Sequence, residues 1–263
     1  MDHGLYTAYL GLRARQNALD VTANNIANAS TPGFKGDYML YRSIQLSAQE
    51  QSAAPTGINP QAITQLDPSQ AAAHTRSTGL VTGTALNTTA GTIRQTGRNL
   101  DVAIEGDGYF VVQTQQGIRY TRAGNFTRDP SGQLTTANGD PVMGEKGPIS
   151  LPPGEAHITP DGEITVGYQS VDKFQVVRFD KPSRDLVKEG NTLLTLNDQT
   201  GITPQQVTGV RVVPGALEGA NVDTVSEMAA MIHHSREFES LQKAISMLMN
   251  DVGRKVGNDI GRL

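Results

Sequence analysis

The chain has 263 residues, 37% of them hydrophobic and 5% aromatic, with no tryptophan, so it has the length for one large domain or two modest ones but only a thin core. A net charge of −4 with no basic block offers nothing to neutralise phosphates, and nucleic-acid binding is not expected. Cysteine is absent, which removes disulfides and thiolate metal sites, and no apolar run reaches the ~18 residues of a membrane-spanning helix.

The first predicted element is a helix from about residue 3 to 28. Leu5, Leu12, Leu19 and Ile26 recur every seven residues, a narrow apolar seam suited to packing helix on helix. All thirteen prolines lie between Pro32 and Pro214, which leaves both ends of the chain free for long helices. The first helix stops before Ser30-Thr31-Pro32-Gly33, since Pro and Gly end helices. Arg13 and Arg15 fall where a secretory signal would carry its apolar block, so Met1–Leu19 does not read as one.

Residues 47–79 are rich in Ala, Gln, Ser, Thr and Pro and are expected to be extended or mobile. The middle then reads as β. Tyr109-Phe110-Val111-Val112, Phe174-Gln175-Val176-Val177 and Val210-Arg211-Val212-Val213 are short apolar runs. They are separated by Asp129-Pro130-Ser131-Gly132, Asn138-Gly139 and Asp161-Gly162, the chemistry of tight turns. The last element is a helix from about 222 to 256. Met231, Phe238, Ile245 and Val252 recur every seven residues, with Leu241 and Leu248 interleaved, and Thr224 and Glu227 suggest a capping box at its start.

The expected fold class is α+β: long N- and C-terminal helices packing together in coiled-coil fashion, with a central, mostly antiparallel β domain. The expected domains are 1–36 with 215–263 as a terminal helical assembly domain, 37–85 as an extended low-complexity linker, and 86–214 as the β domain. A helix seam needs a partner, because an isolated helix is marginal in water. Pattern alone leaves two options open: the other terminal helix together with neighbouring subunits, or the β domain.

The chain offers few groupings of reactive side chains. His233 and His234 are adjacent and project about 100° apart on a helix, which does not suit a shared metal. Glu105 and Asp107 flank Gly106 in a strand-turn context and read as solvated acids rather than an acid-base pair. Gly106-Asp107-Gly108 lacks phosphate-loop spacing. No catalytic, metal-binding or cofactor-binding residue is assigned, no cofactor is expected, and the chain is not expected to be an enzyme.

One string carries a resemblance. Ala23-Asn24-Asn25-Ile26-Ala27-Asn28-Ala29-Ser30-Thr31-Pro32-Gly33-Phe34-Lys35 resembles the N-terminal signature of bacterial flagellar rod, hook and hook-associated proteins. Asn99 to Val111, Arg122-Ala123-Gly124-Asn125-Phe126 and Gly215 to Ile232 are similar to later segments of the same family. The opening Met1 to Ala8 is most like the proximal-rod type; a distal-rod or hook-type subunit is the alternative within the family.

The resemblance implies a structural subunit of the flagellar basal-body rod, in which the terminal helices polymerise into an axial drive shaft crossing the periplasm. It also implies export through the flagellar type III apparatus without a cleaved signal peptide. Its partners would be itself and other axial proteins, with no nucleic acid, membrane insertion or small-molecule substrate. The expected assembly seam is Leu5, Leu12, Leu19, Ile26, Met231, Phe238, Leu241, Ile245, Leu248 and Val252. The expected motif turn is Asn24, Asn25, Asn28, Pro32, Gly33 and Phe34. From another class, a secreted cell-wall or carbohydrate binder would need an exposed aromatic platform on the β domain, where Tyr109, Tyr120 and Tyr168 are the tyrosines available.

Overall fold

The computed structural model describes residues 2–46, 77–197, 201–207 and 209–260. Helix α1 is Asp2–Ala27; β1 (Asp37–Leu46) and β2 (Ser77–Leu86) follow and pair with each other. Then come β3 (Ile93–Gln95), β4 (Val102–Glu105), β5 (Tyr109–Thr114), β6 (Gly117–Thr121), β7 (Thr127–Arg128), β8 (Leu134–Thr135), β9 (Met143–Gly144) and β10 (Gly147–Pro148). The chain continues through β11 (Ala156–Ile158), β12 (Glu163–Val166), β13 (Gln169–Lys173), β14 (Val176–Arg178), the short helix α2 (Pro182–Asp185), β15 (Leu186–Glu189) and β16 (Leu193–Leu196). It closes with β17 (Gln205–Gln206), β18 (Arg211–Pro214), β19 (Ala216–Glu218) and helix α3 (Thr224–Ile260). The fold is α+β. Of the stretch expected to be extended, 47–76 lies outside the described residues, and 77–79 open β2.

The described residues fall into two compact units. One draws on Met1–Asp20, Met39–Gly83 and Ala230–Leu263, the other on Val21–Tyr38 and Thr84–Ala229. In the first, α1 and α3 pack together. Arg15 Nη1 pairs with Glu237 Oε2 at 3.2 Å, and a Cβ at Gly11 would stand 4.0 Å from Leu241 Cδ1. That is ordinary van der Waals separation, so α1 faces the Leu241 side chain at Gly11 with room left for a methyl group. Arg15 also lies over the Tyr41 ring, 5.8 Å from its centroid.

The second unit holds the β domain. Its main sheet has six antiparallel strands in the order β15-β16-β6-β5-β14-β17, beside a three-stranded sheet, β11-β12-β13. Successive side chains of a strand point to opposite faces, and here both faces are covered. Phe110, Val112 and Val176 enter one apolar cluster, with Phe126, Leu134, Val142, Ile149 and Phe174. Their neighbours Tyr109, Val111 and Val177 enter the other, with Leu86, Tyr120, Phe179, Leu186 and Leu194. Two-sided burial explains why Tyr109–Val112 reads as an unbroken apolar run rather than an alternating one. Phe110, Phe126 and Phe174 meet with ring centroids 5.2 to 5.7 Å apart.

The predicted turns close as their chemistry requires. Gly132 N donates to Asp129 O, Gly139 N to Thr136 O and Gly162 N to Thr159 O, at 2.9 to 3.0 Å.

The capping assignment at α3 is corrected. Thr224 is the first helical residue, and the cap is Asp223: its Oδ1 accepts from Val225 N at 3.1 Å and its Oδ2 from Ser226 Oγ at 2.7 Å. An anionic acceptor on the Val225 N–H satisfies a helix-end donor, and the bonds from the Ser226 hydroxyl and the Val225 N–H hold the Asp223 carboxyl below its usual value. Glu227 is freed for a different partner.

Candidate assembly site

The motif turn forms one hydrogen-bonded unit at the end of α1. Asn28 Nδ2 donates to Asn24 O at 2.9 Å, and Thr31 N donates to Asn28 O at 2.9 Å, winding the chain out of the helix. The Asn24 side chain is exposed, whereas Asn25 and Asn28 are buried. Asn25 is the centre of the turn. Its Nδ2 donates to Asp37 O (2.8 Å) and to Glu227 Oε1 (3.2 Å), and its Oδ1 accepts from Asp37 N (3.0 Å). One amide thus ties the helix end, the start of β1 and the first turn of α3.

Gly33 and Phe34 seat the turn against the β domain in different ways. Gly33 has φ +70°, and a Cβ there would lie 2.2 Å from Ala123 N, so the backbone passes with no room for a side chain. Its N–H donates to Glu218 O at 2.7 Å. Phe34 is fully buried, and Lys188 Nζ sits 4.2 Å from its ring centroid while pairing with Asp37 Oδ2 at 2.7 Å. Pro32 is half-buried and, with Thr31, borders an open cleft of about 360 Å³ that Asn125, Asn138 and Asn191 also line.

Beneath the turn lies a charged cluster that the sequence reading did not single out. Lys35 Nζ pairs with Glu218 Oε1 at 2.6 Å and donates to Thr89 O at 2.7 Å. Arg122 Nη1 faces Glu218 Oε2 at 3.3 Å, and Arg122 Nη2 donates to Gly106 O at 2.6 Å. Gly91 N also donates to Glu218 Oε1, at 2.9 Å. The Lys35 and Glu218 side chains are both 2% exposed. Burial pulls the Lys35 ammonium below its ordinary value, with Glu218 opposing that shift. The signal in the sequence is a charged residue embedded in each of three apolar or glycine-rich segments, Phe34-Lys35, Arg122-Ala123-Gly124 and Leu217-Glu218. Nothing in their spacing announces that they meet.

The expected seam residues are placed as follows. Leu12, Leu19, Ile26, Phe238, Leu241 and Ile245 are half-buried, and Met231 is exposed. The side chains of Leu5, Leu248 and Val252 lie outside the described residues. Among the described side chains of α1, the buried ones are Ala14, Ala18, Thr22 and Asn25, small or polar residues three or four apart. On α3, Val225, Met228, Ile232, Met247 and Met249 are exposed. Both His233 and His234 lie against Glu237, at 3.4 and 3.6 Å.

Three family models match the chain. Flagella basal body rod protein matches residues 5–35, which hold most of α1 and the motif turn. The flagellar hook protein FlgE/F/G D1 domain matches 103–166 in the β domain. Flagellar basal body rod FlgEFG protein C-terminal matches 213–248, across Glu218 and into α3. The chain is 35% identical over 246 residues to flagellar basal-body rod protein FlgF of Caulobacter vibrioides, covering 92% of each chain. It is 35% identical over 266 residues to FlgF of Escherichia coli K12, covering 97% of each. To flagellar basal-body rod protein FlgG of Bacillus subtilis 168 it is 34% identical over 266 residues, covering 94% of this chain and 95% of the relative.

Proposed function

The chain belongs to the flagellar basal-body rod protein family, and from that premise we propose that it is a structural subunit of the bacterial flagellar rod, of the proximal type. The observation that carries the assembly reading is the state of the terminal helices. Leu12, Leu19, Phe238, Leu241 and Ile245 keep part of their apolar surface in water, and Val225, Met228, Ile232, Met247 and Met249 keep half of it or more. Apolar surface left on a long helix drives association. A head-to-tail contact that does not close on itself propagates as a helical filament. Torque then passes through helix packing and through the motif turn that ties α1 to the start of α3, with no bond made or broken.

The seam and turn residues act as assembly groups in this reading, and the chain is not an enzyme. It reaches the rod through the flagellar type III export apparatus and assembles there with itself and other axial proteins, in the part of the basal body that crosses the periplasm. The absence of cysteine fits that route, since no disulfide can block an unfolded chain in transit.

The proximal position is favoured because both relatives quoted at 35% carry the name FlgF. The FlgG relative at 34% supports the distal position as the second reading. Expression of this chain in two non-motile strains, one lacking its proximal and one its distal rod subunit, separates them. Swimming restored only in the first supports the proximal position; swimming restored only in the second overturns it.

A wall- or carbohydrate-binding role finds little support in the tyrosines it would need. Tyr109 and Tyr120 are buried in the core, and Tyr168 stands alone and fully exposed at the β12–β13 hairpin.

A further inference from the structure

Glu218 is where three distant segments converge. Its carboxylate meets Lys35, Gly91 N and Arg122, and its carbonyl takes the N–H of Gly33. Glycines make that convergence possible. A Cβ at Gly91 would lie 2.0 Å from Gly219 O, one at Gly124 1.7 Å from Val102 O, and one at Gly33 2.2 Å from Ala123 N. The site is built around one anion.

The cluster is asymmetric in its needs. Arg122 is also held by Gly106 O, by Ile104 O and by the Tyr109 ring, 5.2 Å away, so the β domain supports it without Glu218. Among the described residues, Lys35 has Glu218 as its one anionic partner, and it also donates to Thr89 O. The two apolar clusters of the β domain draw on residues from Leu86 to Val212 and include no residue of the turn at 33–37, not even the fully buried Phe34. That core can close while the turn is still undocked. Seating Lys35 beside the Arg122 guanidinium before Glu218 arrives would bury two cations with no counter-charge, which is strongly unfavourable.

We propose that Glu218 is a clasp that makes docking of the turn at residues 33–37 conditional on arrival of the C-terminal segment. The N-terminal turn waits, through 183 positions of chain, for the residue that neutralises Lys35. The end of α1 is then fixed onto the β domain in one step with the segment that leads into α3. Neither helix end is anchored on a chain that has not yet delivered the other.

The test is amide hydrogen exchange on the full-length chain. In Glu218→Gln, exchange at Gly33, Gly36 and Asp37 is expected to speed up about 100-fold or more, the scale of breaking a buried ion pair. Val111 and Val142, bonded within the β domain, are expected to stay protected. Adding Lys35→Met in that background is expected to restore most of the protection, since the cation that required the carboxylate is gone. Turn amides within about threefold of wild type in Glu218→Gln, or no recovery in the double variant, would overturn the clasp. Pulse-labelled refolding of the wild-type chain needs no variant: protection at Val111 and Val142 is expected before protection at Gly33 and Gly36. The reverse order or simultaneous protection would overturn it too.

Discussion

The side-chain amide of Asn25 pairs with the peptide groups of Asp37 in both directions, Nδ2 to O at 2.8 Å and N to Oδ1 at 3.0 Å. A helix side chain thereby takes the place of a neighbouring strand for the first residue of β1. The third bond, to Glu227 Oε1, extends the same amide to α3. Asn25→Ala leaves the Asp37 N–H and C=O without their partner and is expected to cost about 1–3 kcal/mol in urea unfolding. Asn25→Asp keeps an acceptor but loses both donated bonds and sets a carboxylate against Glu227. It is expected to be worse than Ala near pH 7 and to recover as the pH falls toward about 4, where protonation removes the repulsion.

Two glycines of positive φ separate backbone freedom from close approach. At Gly139, φ is +89° and a Cβ would meet nothing within 4 Å; at Gly33 it would meet the Ala123 backbone. Gly139→Ala is expected to cost about 1–2 kcal/mol, the left-handed conformation alone. Gly33→Ala is expected to cost clearly more, because the motif turn must also lift off the β domain. Thermal unfolding of the two variants side by side checks the ranking.

Burial raises the phenol pKa of Tyr109 and of Tyr120 above the ordinary value. A folded pKa above the unfolded one means that their contribution to stability is complete below about pH 10 and is lost as pH rises through the folded values. Lys35 runs the other way: its folded pKa is lowered, so its contribution is present above its unfolded value and lost as pH falls through the folded one. With two tyrosines against one lysine, alkaline titration is expected to show a late phenolate absorbance that coincides with loss of the folded circular dichroism signal. Simple titration of all seven tyrosines near pH 10 in a folded protein would contradict this.

The architecture was largely legible in the residues. Proline-free ends with apolar residues every seven positions gave α1 and α3 within a few residues of their observed limits. Apolar runs between Asn-Gly and Asp-Gly turns gave the β domain. The contacts that fasten the pieces were not legible, for physical reasons. Asp223 and Thr224 are both good caps, and only the backbone path decides which one faces the free N–H groups of α3. Lys35, Arg122 and Glu218 each look like an ordinary surface charge, and burial turns them into a cluster only once three segments meet. On α1 the heptad reading highlights Leu12 and Leu19, while the chain's own packing buries Ala14 and Ala18, the residues small enough for close approach. The leucines keep surface to spare, as the proposed assembly requires.

That spare surface is the most direct test of the assembly account. Phe238→Ser with Ile245→Ser removes apolar area from α3 at two half-buried positions, outside both β-domain clusters. The amount of wild-type and of doubly substituted chain in basal bodies purified from the same strain is the measurement, with urea unfolding of each purified chain as the control for folding. The account predicts that the variant unfolds at the wild-type urea midpoint for the β domain yet is missing from the basal bodies, and that the cells do not swim. A variant that enters basal bodies as abundantly as wild type would contradict assembly through the terminal helices.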